Sequence, residues 1–157
     1  MSIEKVKSYF ANYGMKNKII QLKESSATVE LAAQALGCEP ERIAKTLSFR
    51  VEEEVVLIVA AGDAKIDNRK YREEFGTKAK MLSANEVEPF TGHMIGGVCP
   101  FAVNEGVSIY LDQSLQRFQT VFPACGSRNS AIELTIEQLE EHSTYIKWID
   151  VCKGWEN

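Results

Sequence analysis

A chain of 157 residues, 45% hydrophobic and 25% charged, is long enough to bury roughly two thirds of its unfolded surface in one core, and its composition is neither disordered nor fibrous. The net charge of −4 excludes attraction of nucleic acid by bulk electrostatics, so any such partner has to meet a local basic patch. No run approaches the roughly 18 apolar residues of a membrane span, "MSIEKVKSYF" carries charges where a signal peptide is apolar, and Cys38, Cys99, Cys125 and Cys152 show no CxxC or framework spacing. These features predict a cytoplasmic protein with free thiols and no membrane partner.

Ile3, Val6 and Phe10 recur at helical spacing after Ser2, a plausible cap, and Gly14 supplies a stop. "KIIQL" (18–22) reads as a short strand. Val29, Ala32, Ala33 and Leu36 mark the buried stripe of a second helix ended by Gly37, and Pro40 opens a brief third. "AKTLSFRV" (44–51) alternates as a strand does, placing Lys45 on one face with Leu47, Phe49 and Val51, and Thr46, Ser48 and Arg50 on the other. After the polar turn "EEE", "VVLIVAA" is apolar on both faces and predicts a central strand.

Asp67 is expected to cap a helix through Phe75, "KAKML" to be extended, and Ser83 with Glu86 to form a capping box for a helix that Pro89 cuts short. The irregular stretch "HMIGGVCPF" (93–101) follows. Then come a strand "VSIYL" (107–111), a turn or short helix, a strand "TVFPA", a tight "CGSRN" turn, a strand "AIEL", a helix capped by Thr135 with Gln138, and a last strand "YIKWIDV". Six or seven short strands among helices, without regular βαβ alternation, predict a mixed α+β fold. There is no repeat or linker, so residues 1–157 read as a single domain.

Standard catalytic signatures are absent: no HExxH, no GxxxxGK[ST], no GxSxG, no GxGxxG. His93 and His142 are the only histidines, which argues against a metal site. A Cys99 thiolate with His93 as base is one reading of the irregular stretch; a packed, inert cysteine is the better one. Lys45 is either drawn inward to meet an anion or to lose its proton, or it packs its stem and snorkels; the residues leave both open. Lys65, Arg69, Lys70, Arg72, Lys78 and Lys80, against Asp67, Glu73 and Glu74, form the one basic segment, read as a solvated helix face when taken alone.

"RIAKTLSF" (42–49) centred on Lys45, "GGVCP" (96–100) followed by Phe101, and "GSRNSAIEL" (126–134) occur in the order and spacing of the YbaK/EbsC family, which includes the editing domain inserted in bacterial prolyl-tRNA synthetases. The resemblance covers nearly the whole chain. It implies a mixed, partly barrel-like sheet flanked by helices. It also implies an aminoacyl-tRNA deacylase acting in trans, without a cofactor, on a small amino acid wrongly attached to a tRNA, commonly proline tRNA.

Carried onto this sequence, the resemblance gives Lys45, Gly96 and Gly97 catalytic roles. It lines the substrate pocket with Thr46, Val98, Cys99, Pro100, Phe101, Gly126, Ser127 and Arg128, with His93 at most at its edge. The implied partners are the aminoacyl-tRNA acceptor end, met by the basic segment 65–80, and a prolyl-tRNA synthetase; DNA is not among them. An aminoacyl ester is already activated, so positioned water and a stabilised oxyanion suffice without a protein nucleophile.

The cysteine-clearing branch of the family has a serine and an aspartate where this sequence has Ala124 and Ala131. The amino acid removed is therefore open among cysteine, alanine, serine, threonine and small non-protein residues. The alternative is a non-catalytic tRNA-end or nucleotide-binding module of the same fold.

Overall fold

The computed structural model describes residues 2–156. Helix α1 (Ser2–Ala11) buries Ile3, Val6 and Phe10, the stripe read from the sequence, and Ser2 lies inside it, its hydroxyl donating to the Gly126 carbonyl. After a short strand β1 (Ile20–Gln21), Thr28 caps α2 (Val29–Leu36), its hydroxyl accepting from the Leu31 amide at 3.1 Å. Pro40 opens a single 3-10 turn rather than a helix.

Strands β2 (Ile43–Val51) and β3 (Glu54–Ala61) form an antiparallel hairpin paired from Ala44↔Ala61 to Val51↔Glu54. The pairing puts Lys45, Leu47 and Phe49 on one face with Ala60, Ile58 and Val56, so the parity expected from the sequence holds. In β3, Val56 to Ala61 are all buried, as a strand covered on both faces must be.

The chain continues through β4 (Lys65–Ile66), α3 (Asn68–Phe75) capped by Asp67, and α4 (Ala84–Thr91) with the Ser83/Glu86 capping box. "KAKML" makes one isolated bridge, Phe49↔Met81. Pro89 does not cut α4 short: the helix runs on to Thr91, whose hydroxyl donates to Val87 O at 2.7 Å while Asn104 Nδ2 donates to Pro89 O at 2.9 Å. Then come β5 (Ser108–Asp112), β6 (Thr120–Pro123), β7 (Ser130–Ala131), β8 (Leu134–Thr135), α5 (Ile136–Ser143), β9 (Lys147–Ile149) and β10 (Cys152–Lys153).

The six strands β8-β6-β2-β3-β5-β9 form one mixed sheet that curls into a half-barrel flanked by helices. Two ribbons, β1 with β7 and β4 with β10, stand beside it. The segment "AIEL", expected as one strand, is divided: Ala131 pairs with Ile20 in one ribbon while Leu134 pairs with Val121 in the sheet. "YIKWIDV" likewise supplies β9, with Cys152 beyond it in a ribbon.

The main core runs along β3 and β5 and takes in Tyr71 and Phe101; Tyr71 packs on Phe49 at 5.1 Å between ring centroids and Phe10 on Phe101 at 5.0 Å. A smaller cluster of Ala32, Ala33, Ile43 and Phe122 lies under α2. Leu57 is fully buried in the central strand, so Leu57→Ala removes its contacts and leaves a cavity. A loss of about 2–5 kcal/mol is expected from urea unfolding followed by fluorescence.

Candidate functional site

The site originates where the sheet parts. Strand β2 pairs with β6 at only two positions, Ile43↔Phe122 and Ala44↔Pro123. Beyond them Ala124 turns away to bridge Ala131, and β7 joins β1 instead of the sheet. Further along β2, the Arg50 amide donates to Lys80 O at 2.9 Å and the Leu82 amide to Ser48 O at 3.1 Å, so even-numbered residues aim their backbone groups at this edge. By that period Thr46 points its N–H and C=O the same way, after the last pair with β6 and before the first bond to the 80–82 segment. Among the described pairings neither group has a strand to meet.

A cleft of about 290 Å³ occupies the gap. Ile43, Ala44, Leu47, Phe122, Ala124 and Ala131 give it an apolar floor, α2 adds Val29, Ala32 and Leu36, and Ser26 to Thr28 with Gly96 and Val98 stand at its mouth. The Thr46 hydroxyl is buried without a hydrogen-bond partner, an arrangement that costs free energy unless something else supplies one.

Lys45 lines the cleft, and its ammonium donates to the Gly62 carbonyl at 3.3 Å and to the Ala64 carbonyl. Burial lowers its pKa from the usual lysine range, and the nearby Cys152 and Asp63 oppose that shift. Of the two readings the sequence left open, the snorkelling one does not describe this side chain. Two of its three donors are seated on backbone carbonyls of the turn after β3.

The 93–101 stretch divides its labour. Gly96 adopts φ +89°, and a Cβ there would lie 2.8 Å from Arg128 Cγ, so only glycine lets the loop pass between the cleft and Arg128. Gly97 does not offer its amide to the cleft: that N–H donates to Met94 O at 3.0 Å. A Cβ at Gly97 would sit 2.5 Å from Gly126 C and Ser127 N, so this glycine serves close packing of two loops.

Cys99, Pro100 and Phe101 are buried beneath the loop rather than lining the cleft. Cys99 Sγ lies 3.5 Å from His93 Nε2, but that nitrogen is 2.6 Å from the Phe101 carbonyl, to which it must donate, so it has no lone pair to take the thiol proton. With burial pushing the thiol up to about 12 and neither side chain at the cleft, this pair is packing and not a nucleophile with its base.

Gly126, Ser127 and Arg128 also stand behind the wall. Ser127 Oγ donates to Asn129 Oδ1 at 3.0 Å and lies 2.7 Å from Ser130 Oγ, and Arg128 Nε donates to Ile95 O at 3.1 Å while its carbonyl accepts from Ser26 Oγ at 3.0 Å. They tie the two sides of the mouth together.

In the basic segment, Lys70 is taken by Asp150 and the Cys152 carbonyl, both at 3.0 Å, and Asp150 raises its pKa; this is a structural cation. Arg69 pairs with Glu73 at 3.3 Å on the exposed face of α3, and Lys65, Arg72, Lys78 and Lys80 are exposed. The α2 wall, Ile43 and Phe122 were not foreseen as site residues. Their only signal was the small-residue stripe of α2, which a packed helix would show equally.

The family model for the aminoacyl-tRNA editing domain matches residues 23–142. The chain is 59% identical over 157 residues to the uncharacterized protein YwhH of Bacillus subtilis (strain 168), covering 99% of this chain and 100% of that one. It is 31% identical over 104 residues to a proline--tRNA ligase of Shouchella clausii (strain KSM-K16), covering 66% of this chain and 18% of the ligase. Among solved structures, one presented as a candidate trans-editing enzyme for prolyl tRNA synthetase superposes with a TM-score of 0.86 at 28% identity, covering 98% of both chains.

Burial holds the His93 imidazole below its ordinary pKa of 6.5. The unfolded chain therefore takes up a proton as pH falls through that value while the folded chain resists, and stability drops until the folded pKa is passed. Urea unfolding at pH 7.5 and 5.5 is expected to show a smaller acid loss for His93→Gln than for the parent.

Proposed function

This chain belongs to the aminoacyl-tRNA editing domain family, and on that premise we propose that it acts in trans to hydrolyse the ester joining a small, wrongly attached amino acid to tRNA, proline tRNA foremost. The observation that carries the reading is the convergence of Lys45 and the open Thr46 edge on one cleft with a largely apolar floor. An aminoacyl ester brings what that cleft lacks. Its α-ammonium donates to an acceptor such as Thr46 C=O, and its carbonyl oxygen, which gains charge as water attacks, accepts from a fixed donor such as Thr46 N–H.

On this reading the water oxygen bonds to the ester carbon, the bond from that carbon to the ribose oxygen breaks, and the ribose oxygen receives the proton. Fixed dipoles that need no rearrangement account for the rate. Lys45, held by two carbonyls, orients the ribose end as a point charge. The Gly96 N–H at the loop is a second donor toward the oxyanion, whereas Gly97 keeps the loop against its neighbour.

Ala124 and Ala131 bring no hydroxyl or carboxylate, so a side chain lying against them is favoured when small and apolar, while the hydroxyls of the inner lining are those of Thr46 and Ser130. Outward-facing Lys65, Arg69, Arg72, Lys78 and Lys80 suit the acceptor-stem phosphates, a contact that weakens with salt and reads no sequence. The apolar floor is also what a non-hydrolytic binder of the tRNA end would use. Equal, saturable binding of charged and uncharged tRNA with the ester left intact would establish that reading instead.

Deacylation of proline tRNA charged with alanine, serine, threonine or cysteine tests the proposal, with alanine expected to turn over fastest. Lys45→Ala is expected to lower kcat/KM roughly 10²- to 10³-fold. Thr46→Val removes a buried unsatisfied hydroxyl but keeps the backbone N–H and C=O, so it is expected to gain about 1 kcal/mol in stability with turnover retained. No turnover of any of the four esters, or an unaffected Lys45→Ala protein, rejects the deacylase.

A further inference from the structure

The two carbonyls that seat Lys45 belong to Gly62 and Ala64, on either side of Asp63 in the turn between β3 and β4. That turn is held from several directions. The Ala61 amide donates to Ser114 Oγ at 3.0 Å, the Gly62 amide to Glu41 O at 3.3 Å, and a Cβ on Gly62 would lie 2.0 Å from Pro40 O.

Its outer side is closed by an ion pair. Arg117 donates from Nη1 to Asp63 Oδ2 at 3.0 Å and from Nη2 to Asp63 Oδ1 at 2.6 Å, and both side chains are only 28% exposed. Arg117 is itself fixed: Nε donates to Ser114 O at 2.9 Å, Nη1 to Trp155 O at 3.3 Å, and the guanidinium lies 5.1 Å from the Trp155 ring centroid and 4.7 Å from that of Phe118. A forked pair with every part of its cation braced has one geometry, unlike a mobile surface bridge.

We infer that the Asp63–Arg117 pair is a positioning device for Lys45, fixing the turn whose two carbonyls hold the ammonium at the cleft. The pair touches neither the cleft nor a substrate in it; it acts through the turn. Electrostatics give it a second effect. Lys45 is faced by Glu30 from α2, Asp63 from the turn, Lys65 from β4 and Cys152 from β10, and of these Asp63 and Glu30 are carboxylates that favour the protonated amine. Arg117 neutralises one of the two.

The signs follow. Asp63→Asn removes an anion and leaves the Arg117 cation unmatched, so the Lys45 ammonium is less favoured and titrates at lower pH. Arg117→Gln leaves the Asp63 anion unmatched, so Lys45 titrates at higher pH. The double variant Asp63→Asn/Arg117→Gln falls between the two. These opposite shifts report the unmatched charges alone; loss of the turn's hold on the ammonium moves both single variants the same way, toward a more mobile Lys45 side chain.

The inference rests on the deacylase reading for its consequence in turnover, and the experiment separates the two. The Lys45 Cε resonance is titrated by carbon-detected NMR in the full chain and its variants, which needs no activity. Deacylation is measured alongside, each single variant being expected to lose roughly tenfold in kcat, within the hundredfold that a 1 Å misplacement can cost.

A Lys45 Cε more mobile by carbon relaxation than the parent's in both single variants establishes the device, even where the parent proves inactive on every ester and only the deacylase reading falls. A Cε as rigid as the parent's in both overturns it, whatever the titration or the activity. If Arg117→Gln does not fold, Arg117→Lys keeps the charge without the fork. A titration near that of the parent with a reduced kcat then supports positioning, and a parent-like kcat overturns it.

Discussion

The parting of β2 from β6 after Ala44↔Pro123 is the constraint on which the rest of the structure depends. Pro123 has no N–H to extend a ladder, and Ala124 turns to bridge Ala131. From there the chain must cross to β1, and the sheet is left with an open edge in its middle instead of at its margin. Open edges are ordinarily covered or paired with another strand. Here one side of the gap is walled by α2 and the other by the 94–98 loop, and neither supplies a strand. A cleft lined by one strand's backbone is the result.

The cleft then sets the terms for Lys45. A lysine on the sheet face that carries Leu47 and Phe49 would lose much of its hydration, and burial does lower its pKa. Two backbone carbonyls replace part of that hydration. Below it lies the buried Cys152, its thiol pushed up by burial and by Asp112, whose carboxylate accepts from the Ser114 and Val151 amides at 2.9 Å each. The polar groups near the lysine are thus satisfied by one another, and Lys45 itself lines the cleft. Lys70 shows the contrast: with Asp150 and Glu156 beside it, its charge is spent on holding the C-terminal segment.

Where local rules act alone, the sequence was legible. The caps at Asp67, Ser83 and Thr135, the αL stop at Gly37, and the alternation of residues 44–51 all depend on neighbours within a few positions. Family resemblance supplied the curled sheet and singled out Lys45, Thr46 and Gly96, which line one cleft. Tertiary choices were not legible. Residues 131–134 read as one strand, yet Ala131 and Leu134 serve different partners because the chain bends between them. Gly97 looked like an amide held out to a substrate, since a glycine required for close packing and one required for donation carry the same letter. The stripe of α2 matched a core helix because small apolar residues suit a cleft wall and a packed interface equally.

A volume of about 290 Å³ lies at the lower end of what encloses a drug-sized ligand. On the deacylase reading it holds the reacting end of the substrate and little more, so the nucleotide chain lies outside the mouth. Chemistry and recognition are then physically separate. On that reading the apolar floor is what discriminates between amino acids, where one methylene changes selectivity roughly ten- to two-hundredfold. Any phosphate contact would fall to exposed cations on a protein whose net charge is −4, an attraction that must be local and therefore short in range at physiological salt. A deacylase of this kind gains little from gripping tRNA tightly. Weak contacts would let it sample many tRNAs, with the fit of one small side chain against Ala124 and Ala131 deciding which ester is broken.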